Sequence, residues 1–286
     1  MAEVLESRAG PRISLLHATH RSGDTALRIR DEWLRRARTP DAVEHVFAYA
    51  EDDEVSAAAI PAAGGRFVVT PPSLGLVTAV RNWNAAAAAA DGAILFVIAD
   101  DLLPPPDWDV RLLDAVGPLD PAATEFAVKV ADDRGARFHW TDYWRRNLLR
   151  HPVVSRAYYA RFGLFDQRFR GVFCDDEITL RSFRRAVVVD GKSLVLDHKE
   201  HAADAPDSLL TESQARVNRK SEYDFGRETL KSIHPPWKPR PCYVCLPRAI
   251  VRSNSPLLMR LHRWTMVLCG IPVSAAVRLW RSVRPG

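Results

Sequence analysis

Seven consecutive apolar residues, Ala93 to Ala99, run without interruption and stop at two adjacent aspartates, Asp100 and Asp101. A strand with one face in water alternates apolar and polar residues. An unbroken run this short is the pattern of a strand covered on both faces, as in the middle of a parallel sheet. Open α/β sheets bind ligands just outside the carboxyl ends of their strands. The two carboxylates are therefore expected at a ligand-binding rim, where side by side they repel each other unless something positive lies between them. Pro104-Pro105-Pro106-Asp107-Trp108 follows, with Asp107 as the expected cap of a helix closed by Gly117-Pro118.

The rest of the first half fits the same architecture. Ile13 to His17 reads as a strand, and Ala26, Ile29, Trp33 and Ala37 then share one helical face behind Ser22 or Asp24 as cap. Pro40 stops that helix. Val43 to Ala50 reads as a second strand entering Glu51-Asp52-Asp53-Glu54, and Gly64-Gly65 turns the chain into a third at Phe67 to Val69. A helix carrying Arg81-Asn82-Trp83-Asn84 and the run Ala85 to Ala90 precedes the strand from Ala93. Alanine costs least in a helix and lets it lie close to a sheet. The order predicts an α/β fold with a mostly parallel central sheet flanked by helices.

The second half is less regular. Phe126 to Val130 with the turn Asp132-Asp133-Arg134-Gly135 suggests a hairpin. Helices are expected at Ser155 to Phe162 and from about Asp176, and strands at Ala186 to Val189 and Leu194 to Leu196. Ala202 to Lys220 reads as loop plus a surface helix.

A length of 286 residues suits one large domain, taken as 1–234, plus an extension, 235–286. The net charge of +5 is not spread evenly. From Trp237 onward Lys and Arg occur without any Asp or Glu, so the basic character belongs to the tail and argues against a nucleic-acid-binding core. Within the tail, Trp264 to Val277 is apolar between Arg263 and Arg278, short of the roughly 20 residues that span a bilayer. It is expected either to lie in a membrane interface or to pack on the domain. Cys174, Cys242, Cys245 and Cys269 offer no second pair for a zinc site and read as ordinary thiols. Met1 to Arg12 lacks an apolar signal segment, so a cytoplasmic location is expected.

Four groups of residues carry chemistry. Asp100-Asp101 suits a hard divalent cation, which takes one or two carboxylates plus substrate phosphates. Asp175-Asp176-Glu177 precedes a helix, either as a favourable N-terminal charge pattern or as the source of a general base. His198-x-x-His201 is either structural or a metal-ligating pair. Asp52-Asp53 and Thr19-His20-Arg21 follow the second and first strands; each is a solvated loop by itself, but all fall on the edge that carries Asp101.

On these residues the chain resembles family 2-type glycosyltransferases with the GT-A nucleotide-sugar-binding fold, over roughly Arg12 to His201. The resemblance implies that Thr19 and Arg21 form the nucleotide turn, and that Asp52 and Asp53 contact base and ribose. It implies that Arg81 and Asn82 open a helix facing the donor. In its Asp-x-Asp motif, Asp101 takes the metal-binding second position, Asp100 the variable middle one, and Ala99 replaces the first aspartate. Asp175 is implied as catalytic base with Asp176 as rival, and His198 or His201 as a further metal ligand. Mn²⁺ or Mg²⁺, a nucleotide-diphosphate sugar donor, a glycan or lipid-linked acceptor and an inverting transfer go with it, together with peripheral membrane contact through the tail. Two other readings compete. A nucleotidyltransferase usually has a glycine-rich phosphate loop, and His17 to Asp24 holds only Gly23. A non-catalytic nucleotide-sugar-binding protein of the same fold is favoured by Ala99.

Overall fold

The computed structural model describes residues 12–72, 77–132, 148–198 and 219–234. The apolar runs do what their composition demands. Strand β1 (Ile13–Ala18) and strand β4 (Ile94–Ile98) are buried along nearly their whole length, because helices cover both faces of the sheet they share. On one face, Ile13, Leu15, Ile94 and Phe96 pack against Ile29 and Trp33 of helix α1 (Gly23–Arg35) and Trp108 and Leu112 of helix α4 (Trp108–Val116). On the other, Leu16, Leu95 and Val97 meet Val80, Ala86 and Ala87 of helix α3 (Val77–Ala89). The same face receives Tyr158 of helix α5 (Arg156–Phe162) and Ile178 of helix α6 (Cys174–Arg185).

The remaining strands are β2 (Val43–Ala50), β3 (Arg66–Thr70), β5 (Leu102–Leu103), β6 (Phe126–Asp132), β7 (Val153–Ser155) and β8 (Val187–His198). They form one sheet in the order β3-β2-β1-β4-β7-β6-β8-β5. β1 pairs in parallel with β2 and β4, and β2 with β3. β7 runs against both β4 and β6, β6 and β8 are parallel, and β5 runs against β8. This is the mostly parallel sheet flanked by helices that the sequence predicts.

Several details depart from expectation. Helix α2 (Glu54–Ala62) fills the β2–β3 connection, which the sequence reading left without a helix. The sequence pattern does not predict strand β7 either; it becomes the antiparallel neighbour of β6, while of the turn expected at Asp132-Asp133-Arg134-Gly135 the first residue ends β6 instead and the rest lies outside the described residues. The two strands expected after Ala186 are one, β8, with an irregularity in its pairing that jumps from Gly191 to Val195 opposite Val130 and Ala131. Asp107 precedes α4 but does not cap it with its side chain; its backbone is left-handed (φ 55°) and its carboxylate takes two hydrogen bonds from Arg38 instead. Helix α7 (Lys220–Ile233) packs on α6. His201, Cys242, Cys245, Cys269, the stretch expected as loop and helix at 202–218, and the extension 235–286 lie outside the described residues. Among the described residues, no helix is long and apolar enough to cross a membrane.

Candidate functional site

Asp100 ends β4 and is tied to the end of β1. Its Oδ1 accepts from His17 Nε2 at 2.8 Å, and its Oδ2 accepts from Thr19 Oγ1 at 3.0 Å and Ser22 Oγ at 2.5 Å. Ser22 sits at the start of α1 but makes no side-chain cap; its hydroxyl is turned to the aspartate. With three donors, the Asp100 carboxylate is fully engaged inside the protein, although 26% of its side chain remains accessible.

The second-strand turn joins the same cluster. Arg21 adopts a left-handed backbone (φ 55°), and its N–H donates to Asp53 Oδ2 at 2.7 Å. Asp53 is fully buried and caps α2 by accepting from the Ser56 N–H at 3.0 Å and the Ser56 hydroxyl at 2.8 Å. Asp52 beside it is exposed. Asn82 is buried, its Oδ1 accepting from Thr70 Oγ1 at 2.6 Å. Arg81 donates to the carbonyls of Pro71 and Pro72, at 2.6 Å and 3.3 Å. The structure thus brings Thr19, Arg21, Asp52, Asp53 and Asp100 onto one rim, while Asp53 and Asp100 spend their oxygens on that rim's own architecture.

The segment after Asp101 is fixed from two sides. Arg36 donates to the Pro104 carbonyl at 2.7 Å, and Trp33 donates to the Leu102 carbonyl at 2.9 Å. Leu102 pairs across β5 and β8 with His198, so the backbone of His198 returns next to the residue that follows Asp101. That juxtaposition joins positions nearly a hundred residues apart. Among the described residues, no group of three or more His, Cys, Asp or Glu gathers around a common point.

The acidic helix start lies on the same edge. Because β7 runs against β4, the chain enters β7 where β4 ends: Val97 N–H donates to the Pro152 carbonyl at 3.1 Å. Just before, the Leu149 N–H donates to Thr179 Oγ1 at 2.8 Å, and that hydroxyl donates to the Asp175 carbonyl at 2.5 Å. The first turn of α6 is thereby anchored to the carboxyl end of β4. The residue before α6, Phe173, is left-handed (φ 70°), so the chain turns sharply into Cys174-Asp175-Asp176.

Asp175 is half-buried, and loss of hydration pushes its carboxyl above the usual carboxylate range, partly offset by the Asp176 N–H bonded to it and by the positive charge of Arg150. Burial, with Asp175 beside it, also pushes the Cys174 thiol well up, which keeps it protonated and inert. Asp176 is buried. Glu177 is engaged with Arg181, which grips it at 2.9 Å and donates to the carbonyls of Phe162, Gly163 and Leu164. Asn84 meets the same loop in both directions, donating to the Phe165 carbonyl and accepting from the Phe165 N–H, each at 2.9 Å.

Arg150 and Asn84 were missed as site residues by sequence reading. Asn84 stands two positions after Asn82 and could have been found from that spacing, whereas Arg150 belongs to no pattern.

No family model matches the chain, and no curated protein does. Solved structures resemble it in fold. The mannosyltransferase PcManGT from Pyrobaculum calidifontis, in complex with GDP-Man and Mn²⁺, superposes with a TM-score of 0.51 at 15% identity, over 96% of this chain and 88% of that one. A mycobacterial protein gives a TM-score of 0.47 at 19% identity, over 73% of this chain and 72% of that one. The first likeness establishes a fold of the GT-A glycosyltransferase type.

Proposed function

We propose that the chain is a glycosyltransferase that moves a sugar from a nucleotide-diphosphate donor to an acceptor hydroxyl with inversion. The observation that carries this reading is that the first turn of α6, with Asp175, is anchored through Leu149 and Thr179 to the sheet edge that also bears Asp101. A general base works best when its acidity lies near the working pH, and loss of hydration moves this carboxyl in that direction. Asp175 accepts the acceptor hydroxyl's proton on a carboxylate oxygen; Asp176 is the alternative in the same turn. The positive charge of Arg150 partly offsets that rise. Arg21 and Arg81 add positive charge where the diphosphate leaves. Thr19, Asp52, Asp53, Asn82 and Asp100 shape and line the nucleotide rim. Mn²⁺ or Mg²⁺ would be held by Asp101 with His198 and His201, and when bound would supply Lewis-acid stabilisation of the leaving diphosphate. The basic extension 235–286 suits an anionic membrane surface on the cytoplasmic side, and with it a lipid-linked acceptor.

The test is a panel of nucleotide sugars with Mn²⁺, followed by Asp175→Asn. The variant is expected to lose transfer by roughly 10²-fold or more while GDP or UDP with Mn²⁺ still raises its melting temperature. Undiminished turnover rejects Asp175 as the base. Ala99, in place of an acid, favours a second reading, a nucleotide-sugar-binding protein without catalysis; it predicts nucleotide binding with no turnover of any donor by the unaltered chain.

A further inference from the structure

Trp83 follows Asn82 in α3, and its indole is fastened at two points. Its Nε1–H donates to the carbonyl of Ile98, the last residue of β4, at 2.9 Å. Its ring meets the Phe165 ring with centroids 5.5 Å apart and planes tilted by 46°. Ile98 stands two positions before Asp100. Phe165 lies in the loop held by Asn84, beside the carbonyls gripped by Arg181 of α6. The indole therefore bridges the strand end that leads to Asp100 and the loop braced by the helix that carries Asp175.

The other two tryptophans of the sheet layers are used differently. Trp33 and Trp108 are sealed in the core. Trp83 packs by part of its surface on the α3 side of the sheet and is only half-buried among the described residues. It thus keeps an apolar surface open at the carboxyl edge of the parallel strands, where sheets of this kind bind ligands. The bond to the Ile98 oxygen also fixes the plane of the ring, and recognition needs side chains whose orientation is locked by their surroundings.

We infer that Trp83 is the platform for the transferred sugar: the open part of the indole receives the C–H side of the sugar ring, between the turn of Asp100 and that of Asp175. The C–H bonds on one side of a sugar ring are apolar and weakly positive. An aromatic face is apolar and negative, so the two attract without any charged group. This rests on the proposed sugar transfer, and adds to it a residue that senses the sugar rather than the nucleotide.

The experiment uses the full chain with Mn²⁺ held constant, titrated by calorimetry with GDP, GDP-mannose, UDP and UDP-glucose. Dividing the affinity for each nucleotide sugar by that for its bare nucleotide isolates what the sugar contributes. Trp83→Phe and Trp83→Leu both lose the bond to the Ile98 oxygen, so they differ chiefly in the aromatic face. Trp83→Phe is expected to keep the ratio of the unaltered chain, and Trp83→Leu to lower it roughly 3- to 10-fold, with the bare nucleotide bound equally by both. Equal ratios in the two variants, the result of a purely structural Trp83, would overturn the inference and leave the transferase reading standing. A second measurement needs no variant to fold. Protons of the bound sugar are expected to move upfield in the ring current of the indole, and a bound donor without such shifts contradicts the inference. If the unaltered chain binds none of the four ligands, the transferase reading falls and the inference falls with it.

Discussion

Trp108 donates its indole N–H to the backbone oxygen of Trp33 at 2.8 Å, and the two rings meet edge to face with centroids 4.9 Å apart. Trp33 passes its own N–H on to the Leu102 carbonyl. Two indoles thus hang the segment that follows Asp101 from α1. Trp33→Phe removes the donor and leaves the Leu102 oxygen without it inside the core, a loss of about 1–3 kcal/mol. Trp108→Ala removes a whole buried ring, about 3–5 kcal/mol. Urea denaturation monitored by circular dichroism measures both.

Asp175 sets opposite demands on activity and stability. Its pKa in the folded chain is raised above the unfolded value, chiefly by desolvation. Between those two values the folded chain holds more protons than the unfolded one, so stability falls as pH rises through that window. The stabilising contribution is complete below the ordinary carboxylate value and gone above the raised one. Catalysis with Asp175 as the proposed base would run the other way, rising with pH across the raised value. Asp175→Asn is expected to flatten the stability slope in this window and to resist urea better at neutral pH, while transfer disappears. Paired stability and rate profiles against pH check the two signs together.

Arg181 and Glu177 form a buried pair whose guanidinium also satisfies three carbonyls of the 162–164 turn. Arg181→Met strands the Glu177 charge and those carbonyls together, at a cost of about 3–5 kcal/mol. Adding Glu177→Leu to that variant is expected to recover part of the loss, because no uncompensated charge remains. A double-mutant cycle by chemical denaturation measures the coupling.

Gly226 is where α7 touches the turn before the acidic helix. A methyl group there would lie 2.6 Å from the Val172 oxygen and 2.8 Å from the Phe173 ring. Gly226→Ala therefore pushes α7 off the left-handed Phe173 turn, with an overpacking cost of about 1–3 kcal/mol. Faster amide exchange confined to α7 and the first turn of α6 is the expected signature; unchanged exchange there would contradict the close approach.

What could be read from the sequence depended on burial pattern. β4 was legible because a doubly covered strand must be apolar at every position, and α1 because Ala26, Ile29 and Trp33 face the core at helical spacing. α2 escaped because it buries only Ser56 and Ile60 and so shows no stripe. Its one local signal in the sequence is Asp53, whose side chain caps it. α7 buries one residue, a glycine, and three-residue β7 is too short to show any period. The rim positions were legible as a set, since every parallel strand must release its loop on the same edge. The contacts of individual carboxylates were not, because the partners of Asp100 lie about eighty positions earlier in the chain.

The two-way bond between the amide of Asn84 and the backbone of Phe165 spans the junction of the parallel strands with the later, mixed ones. One side chain there stitches the half that carries Asp100 to the half that carries Asp175. Melting of either half would strand polar atoms of the other, so the region is bound to come apart as one cooperative unit. The spacing between Asp100 and Asp175 is then a property of the scaffold itself.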